Sequence, residues 1–430
     1  MCDDFQIMKI FCSFKFELLA NDVQRSALSR NAGCRRFVFN KALALQNERK
    51  DQGLKLLSYC EMASELVRWK KGDETSFLKE AMSQPLQQAL RDLDQAIRNS
   101  FRPKSDPARK EWPRFKVKDI GDGFRIPQFK PGDIDDANGC VKLPKIGWIR
   151  YRKSRPIAFK SADGSLTPGT VKQIHINKDC GRWFVVFTAE FDVVRPEMKA
   201  LDVGIDIGVV HAVATSSGKF YDLDTERLKD IEKRIAVLQR KLSLNLSSRK
   251  KLAKKGLAEA FDKTKPSRKR RRLKKRIQKL FRRMRCIRQD FNQKTARALA
   301  QEYGCVYAED LKTKNMTKSA KGTVENPGKN VRQKSGLNRA ILRTGFYGLS
   351  QAVDWQLTKA DGMLEKVAPA YTSCTCPICG CCDKGNRPKQ AVFHCIACSH
   401  NENADIVGAK NVLRKGRTGP SAHVKCASPV

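Results

Sequence analysis

"LDVGIDIGVVHAVATSSGKFYDL", residues 201–223, sets apolar runs on either side of turn signals at Ser216, Ser217 and Gly218. Short apolar runs cut by turn residues read as the hairpin strands of an α/β domain. Within the first run, in "GIDIG", stands Asp206, an acid that a strand interior does not want. Two more acids sit at the ends of apolar elements further on. Glu309 ends the short strand in "GCVYAEDL" (304–311), and Asp405 opens the closing helix in "NADIVGAKNV" (403–412). Brought together, three such carboxylates could coordinate two magnesium ions for in-line attack on a phosphodiester. Taken singly each has an ordinary explanation, since a strand-end acid is often a turn residue and Asp405 stands where a helix cap would.

Between the second and third acids, "CTCPICGCC" (374–382) packs five cysteines into nine positions. Cys376 and Cys379 form one C-x2-C, and Cys395 and Cys398 form another. That spacing suits two knuckles presenting four thiolates to one tetrahedral zinc ion. Four protein ligands fill the ion's coordination, so the zinc is expected to be structural. Cys374, Cys381 and Cys382 are then spare thiols, with His394 and His400 as substitute ligands.

The rest of the chain bounds the function. Of 430 residues, 85 are Lys or Arg against 45 Asp or Glu, a net charge of +40 that calls for a polyanionic partner. Lys and Arg crowd "KPSRKRRRLKKRIQKLFRRMRCIR" (265–288), a helix suited to phosphate neutralisation without sequence readout. No apolar stretch of membrane-spanning length and no leader pattern is read, so the thiols are expected in a reducing, cytoplasmic setting with no membrane partner.

At the start, Met8, Ile10, Cys12, Phe14, Phe16 and Leu18 alternate with Lys9, Ser13, Lys15 and Glu17, the pattern of a half-buried strand. Helices are expected over most of 20–101, then strands from about Pro103, with Trp183, Val185, Phe187, Ala189 and Phe191 on one face. The simplest architecture is a β-barrel with the helical block inserted. Further on, Ile231, Ile235, Leu238 and Leu242 mark one helix. Ile277, Leu280, Phe281, Met284, Ile287 and Phe291 mark a second, with "FDKTKPS" (261–267) breaking them into a hairpin. "LNRAILRTGFYGLSQAVDWQLTKADGM" (337–363) reads as helix.

The series "GIDIGVVHAVATSSG", "VYAEDL", "YTS" with two C-x2-C pairs and "NADIVGAKNV" resembles the TnpB family, transposon-encoded RNA-guided nucleases ancestral to Cas12 effectors. "AGCRRFVFNKAL" (32–43), "FRIPQFK" (124–130), "VKLPKIGWIRYRK" (141–153) and "GRWFVVF" (181–187) agree with it. Compact Cas12f-type effectors share the C-terminal half. The resemblance implies a multidomain α+β chain. Its parts would be a wedge barrel over 1–19 and 103–195, a helical recognition block over 20–102, and an RNase H-like RuvC nuclease over 200–371 and 401–415. A zinc ribbon would occupy 372–400 and a disordered tail 416–430. It implies that Asp206, Glu309 and Asp405 are the catalytic triad holding two Mg2+, with Asp202 and Asp310 as competitors beside it. Guide RNA and target double-stranded DNA are the partners it implies, the chain acting as a monomer. A compact Cas12f-type CRISPR effector, a non-cleaving RNA-guided DNA-binding regulator and a zinc-ribbon DNA-binding protein are the other readings.

Overall fold

The structure, a computed structural model, describes residues 7–160, 165–194, 196–254 and 267–418, and the chain divides into two units at Val194. Strand β1 (Ile7–Glu17) opens the first unit with the expected alternation: Ile10, Phe14 and Phe16 are buried while Lys9, Ser13 and Lys15 face solvent. Three helices follow, α1 (Asp22–Asp51), α2 (Tyr59–Lys71) and α3 (Ser83–Ser100). Reciprocal capping boxes start α1 (Asn21 with Gln24) and α2 (Ser58 with Glu61), each satisfying amides that a helix end leaves orphaned. Leu86, Leu90, Leu93 and Ile97 of α3 then pack on Val38 and Leu43 of α1 and Met62 and Leu66 of α2.

The chain returns in short strands, β2 (Gly123–Ile126), β3 (Ile134–Asp135), β4 (Cys140–Leu143), β5 (Gly147–Arg150), β6 (Ala158–Lys160) and β7 (Leu166–Pro168). Two long ones complete the unit, β8 (Thr170–Asp179) and β9 (Arg182–Val194). β1 pairs antiparallel with β9 along its whole length, setting Phe14 opposite Phe187 and Ile10 opposite Phe191. First and last strands are therefore neighbours, and the helices are an insertion. Hydrogen bonding divides the strands among three sheets, β1-β9-β8-β2, β3-β4-β5 and β6-β7, with a bridge from Leu18 to Tyr151 between the first two. Pro144, Pro156 and Pro168, which lack an amide donor, punctuate the short strands. Tyr151 and Trp183 are core residues, whereas Trp148 is 47% exposed.

The second unit opens with β10 (Asp202–Asp206), β11 (Val213–Thr215) and β12 (Phe220–Tyr221), turning at Gly218, whose φ of +86° suits glycine. Helices α4 (Thr225–Lys254) and α5 (Arg268–Glu302) pack together through Ile231, Ile235 and Leu238 against Leu273, Ile277 and Met284. The expected break lies outside the described residues except for Ser267, which caps α5. Phe281 is half exposed, unlike its expected companions. At 100° per residue the buried stripe through 273, 277, 280, 284, 287 and 291 leaves position 281 on its flank.

Then come β13 (Cys305–Glu309), the short α6 (Thr313–Met316), α7 (Val331–Thr344), α8 (Phe346–Lys359) and β14 (Met363–Val367). The stretch read as one helix over 337–363 is two, because Gly345 adopts φ +77° and ends α7 with a left-handed cap. After the cysteine ribbon, with its strands β15 (Val392–His394) and β16 (Asn401–Asn403), helix α9 (Ala404–Thr418) closes the unit. The helix carries Gly416 to Thr418, where a disordered tail was expected. Residues 419–430 lie outside the described residues.

The main sheet runs β12-β11-β10-β13-β14, antiparallel across the hairpin and parallel from β10 to β14. One face buries Val203, Ile205, Val306 and Ala308 against α5 and α8. The other face receives α9 at unusually short range. A Cβ on Gly204 of β10 would lie 2.1 Å from the Ala409 carbonyl oxygen, and one on Gly408 of α9 would lie 3.0 Å from the Asp206 carboxylate. Only residues without side chains permit this approach. Gly204→Ala should therefore push α9 off the sheet and lower stability by about 1–3 kcal/mol, measured as an earlier thermal or urea transition. A melt unchanged from wild type would show that α9 does not depend on this seat.

Candidate active site and metal centre

The parallel register of β10 and β13 runs from Asp202 opposite Cys305 to Ile205 opposite Ala308. Carried one residue further, it sets Asp206 beside Glu309 at the carboxyl ends of adjacent strands, where open α/β sheets place their ligands. Helix α9 runs the other way. Its first turn lies over Asp206 through Gly408, and its last turn reaches Asp202 through Arg417. Asp405, in that first turn, thus joins Asp206 and Glu309 at one end of the sheet.

The two competing acids are engaged elsewhere. Asp202 is paired by the Arg417 fork, which holds its carboxyl below the usual range. Asp310 lies one residue past the strand and accepts from Lys312 at 2.6 Å.

The cap explanation for Asp405 also falls away. The side chain of Asn403 accepts from the Asp405 amide at 2.9 Å and from the Ile406 amide at 3.4 Å, so the capping is done two residues earlier. The Asp405 carboxylate is left to meet Arg387, at 3.2 Å. Thr372 donates its hydroxyl to Glu309, and the buried Asn411 of α9 holds the chain at that point by donating to the Thr372 and Thr375 carbonyls. Thr372, Arg387, Asn411 and the two glycines escaped the sequence reading. A lone Thr or Arg in a loop has no periodic signal, and the glycines show their purpose only once the helix is seated.

Burial, then the charges of Glu309 and Asp405, push the Asp206 carboxyl up to about 7, with Arg387 partly opposing. Glu309 is likewise raised by burial, against the pull of Thr372 and Lys415. Crowded, desolvated carboxylates are the donor set that a hard divalent cation offsets. Among the described residues the four cysteine sulfurs are the set within 4.8 Å of one another, so the three acids converge more loosely.

The proton linkage has a definite sign. An aspartate with an unfolded value of about 3.9 and a folded value of about 7 holds its proton more tightly when folded. Its stabilising contribution is complete below pH 4 and is lost as pH rises to 7. Asp206→Asn should remove this loss. Without divalent ions, wild type should fall relative to the variant by on the order of 2–3 kcal/mol between pH 5 and pH 8. Magnesium should raise the wild-type melting temperature at pH 8 and leave the variant's unchanged. Parallel pH profiles with no magnesium shift would count against a metal-binding Asp206.

The four cysteines form a separate centre. Cys376 and Cys398 sulfurs are 3.6 Å apart, and Cys379 and Cys395 are 3.5 Å apart. Tetrahedral zinc with Zn–S of about 2.3 Å has sulfur–sulfur edges of about 3.8 Å, close to these spacings. The knuckles match: amides four residues on return to the Cys376 and Cys395 carbonyls, and Gly380 and Ser399, each just after the second cysteine, take positive φ.

Thiols this close divide charge unevenly. Without a metal ion, the amides of Cys398 and Ala397 draw Cys395 down to about 6, while neighbouring sulfurs outweigh the His400 amide and push Cys398 up to about 12; a zinc ion would hold all four as thiolates. His400 pairs with Glu402 at 3.1 Å rather than standing in as a ligand. Cys374 and Cys382 form their own contact at 3.8 Å. Phe393 of the ribbon packs with Ala404 and Val407 of α9, so the clip and the helix bearing Asp405 share one small core. Cys395→Ala should lose one equivalent of zinc per chain by elemental analysis and melt earlier. Zinc retained in full would reject this ligand set.

Residues 186–320 match the IS605 OrfB family, described as "Probable transposase", and residues 346–412 match the "Cas12f1-like, TNB domain". Residues 8–55 match a "Helix-turn-helix domain", although here they form β1 and the single helix α1. A relative from Escherichia coli K12, "Putative RNA-guided DNA endonuclease InsQ", is 39% identical over 95% of this chain and 93% of its own. A "Putative RNA-guided DNA endonuclease" from Streptomyces pristinaespiralis is 27% identical over 94% and 89%. The cryo-EM structure of a Cas12f1–sgRNA–target DNA complex aligns over 94% of this chain and 98% of that one, at 16% identity and a TM-score of 0.32, and adds no weight. Near-full-length identity at this level, with residues 186–320 and 346–412 matched by related families, makes this chain a member of the TnpB family of IS605-type transposons.

Proposed function

We propose that the chain is an RNA-guided DNA endonuclease of a transposable element, cutting double-stranded DNA beside a short motif. What supports this most is the meeting of Asp206, Glu309 and Asp405 at one sheet end in a chain 39% identical to "Putative RNA-guided DNA endonuclease InsQ". In this reading the second unit is an RNase H-like RuvC nuclease interrupted by a zinc ribbon. The first is a barrel-type wedge with a helical recognition block. Sequence specificity comes from guide pairing, and the protein reads the motif and the heteroduplex shape.

Bound magnesium, held by Asp206, Glu309 and Asp405, would supply activation of the attacking water and charge stabilisation at the leaving oxygen. The chain's own residues prepare the site. Without a cation, burial and the charges of Glu309 and Asp405 push the Asp206 carboxyl up to about 7, so a bound divalent ion would hold it ionised as a ligand. Thr372 fixes the Glu309 carboxylate, and Arg387 balances the charge of Asp405 from the ribbon side. No helix among the described residues is long and apolar enough to cross a membrane, in keeping with work on nucleic acid in the cytoplasm.

Expression with native flanking DNA should yield a co-purifying RNA with a constant part and a terminal segment matching neighbouring DNA. That complex should cut a matching duplex in magnesium. Asp206→Ala should lower the rate at least a thousandfold while leaving RNA and DNA binding within a few-fold. Cutting that survives in Asp206→Ala would overturn the catalytic assignment. Target binding without cutting by the wild type would favour the non-cleaving regulator.

A further inference from the structure

The first unit carries a cluster of its own in which cations dominate. Asp92 of α3 accepts from two guanidinium groups at once, Arg35 of α1 at 2.8 Å on one oxygen and Arg125 of β2 on the other. Lys116 joins them. Its ammonium lies 3.8 Å over the ring of Phe39, and the Asn40 side chain grips both main-chain groups of residue 116, at 2.9 and 2.8 Å. The lysine is therefore pinned to α1. His175 of β8 stands opposite Arg125 in the sheet register.

Two guanidinium groups thus share the Asp92 carboxylate, and the Lys116 ammonium stands near them within reach of its charge but without an ion pair to it. The nearby Arg36 and Asp122 pair with each other at 2.8 Å, so Asp122 is already committed. The imbalance is felt locally. Burial, then Arg35, lowers the Lys116 ammonium to about 8, with Asp92 alone raising it, and His175 is lowered by burial and by the same two arginines. Arg35 also keeps a buried Nε without a hydrogen-bond partner. Side-chain exposure climbs from 15% at Arg35 through 25% at Asp92 to 34% at Arg125, so the cluster opens to solvent at the Arg125 end.

Holding excess positive charge half out of water is costly unless an anion completes it. Arg35 gives its other terminal nitrogen to the Gly123 carbonyl at 3.0 Å, so an anion with several acceptor oxygens would draw on the remaining donors of Arg125, the Arg35 Nε and the Lys116 ammonium, which a single carboxylate does not satisfy. We propose that Arg35, Lys116 and Arg125 form a binding site for one phosphodiester of the nucleic acid this chain handles. The inference rests on the functional reading above. The same phosphate chemistry is offered by guide RNA and by target DNA.

The test titrates wild type, Lys116→Met and Lys116→Arg across a salt series. The probes are the co-purified RNA and, for the RNA complex, a labelled matching duplex. Lys116→Met keeps the stem over Phe39 and removes the charge. Its binding should weaken several-fold, with the slope of log K against log salt shallower by about 0.7 for single-stranded RNA or about 0.9 for duplex DNA. Its melting temperature should stay near wild type, and Lys116→Arg should bind as wild type does. The probe that shows the loss identifies the owner of the phosphate. If Lys116→Met melts early, Arg125→Gln, at the open end, gives the same readout. A folded variant with unchanged slopes on both probes overturns the site. A wild type that binds neither probe overturns the functional reading instead.

Discussion

The second unit depends on how closely α9 lies on the strands β10 and β13. Gly204 and Gly408 remove the side chains that would hold helix and sheet apart, and Gly416 does the same against the ring of Tyr307 two turns further on. Such contact brings main-chain atoms of α9 near van der Waals distance of the strand. It also sets the first turn of the helix over the carboxyl ends of the strands. Had α9 stood off by the width of a methyl group, Asp405 would be carried away from Asp206 and Glu309. The position of the acids follows from the glycines, and the salt bridge from Arg417 to Asp202 fixes the far end of the same helix.

Local electrostatics in this chain run opposite to its overall charge. A net +40 spreads over the chain, yet the one sheet end gathers carboxylates so tightly that Asp206 is raised to about 7. The long α5 does the reverse, turning Leu273, Ile277 and Met284 inward and leaving nearly every other position near its start positive. A polyanion is drawn to such a surface while the acid cluster requires its own cations. Both properties suit a site that must accept a phosphate backbone and then hydrolyse it.

Much of this was legible in the sequence because periodicity and spacing carry it. Alternation gave β1 and β9 with the correct faces and matched C-x2-C pairs gave the four sulfurs, whereas the three acids, each with an ordinary local explanation, were joined into a candidate site by the family resemblance. The misreadings have local physical causes. A left-handed glycine at 345 splits a helix that hydropathy alone makes continuous, and Phe281 misses the buried stripe by its angle around α5. The partners of the acids were not legible. Thr372, Arg387 and Asn411 act through contacts between residues far apart in the chain, and a single polar residue, in a loop or on a helix, announces nothing until the fold supplies its neighbours.

The ribbon's place in the chain order has a structural consequence. It lies between β14 and α9, so the chain must leave the sheet edge at Val367 and return as a helix across the opposite face. A free loop of that length would bring α9 back at a considerable entropic cost and with no fixed first residue. The four-sulfur clip shortens the effective path, and Phe393, packed on Ala404 and Val407, continues the ribbon's core into the helix. Asn403, ending the last ribbon strand, supplies the cap, which leaves the Asp405 carboxylate for the cleft, and Arg387 in the middle of the ribbon reaches that same carboxylate. A metal held by the four sulfurs would thereby govern where the third acid stands without touching substrate.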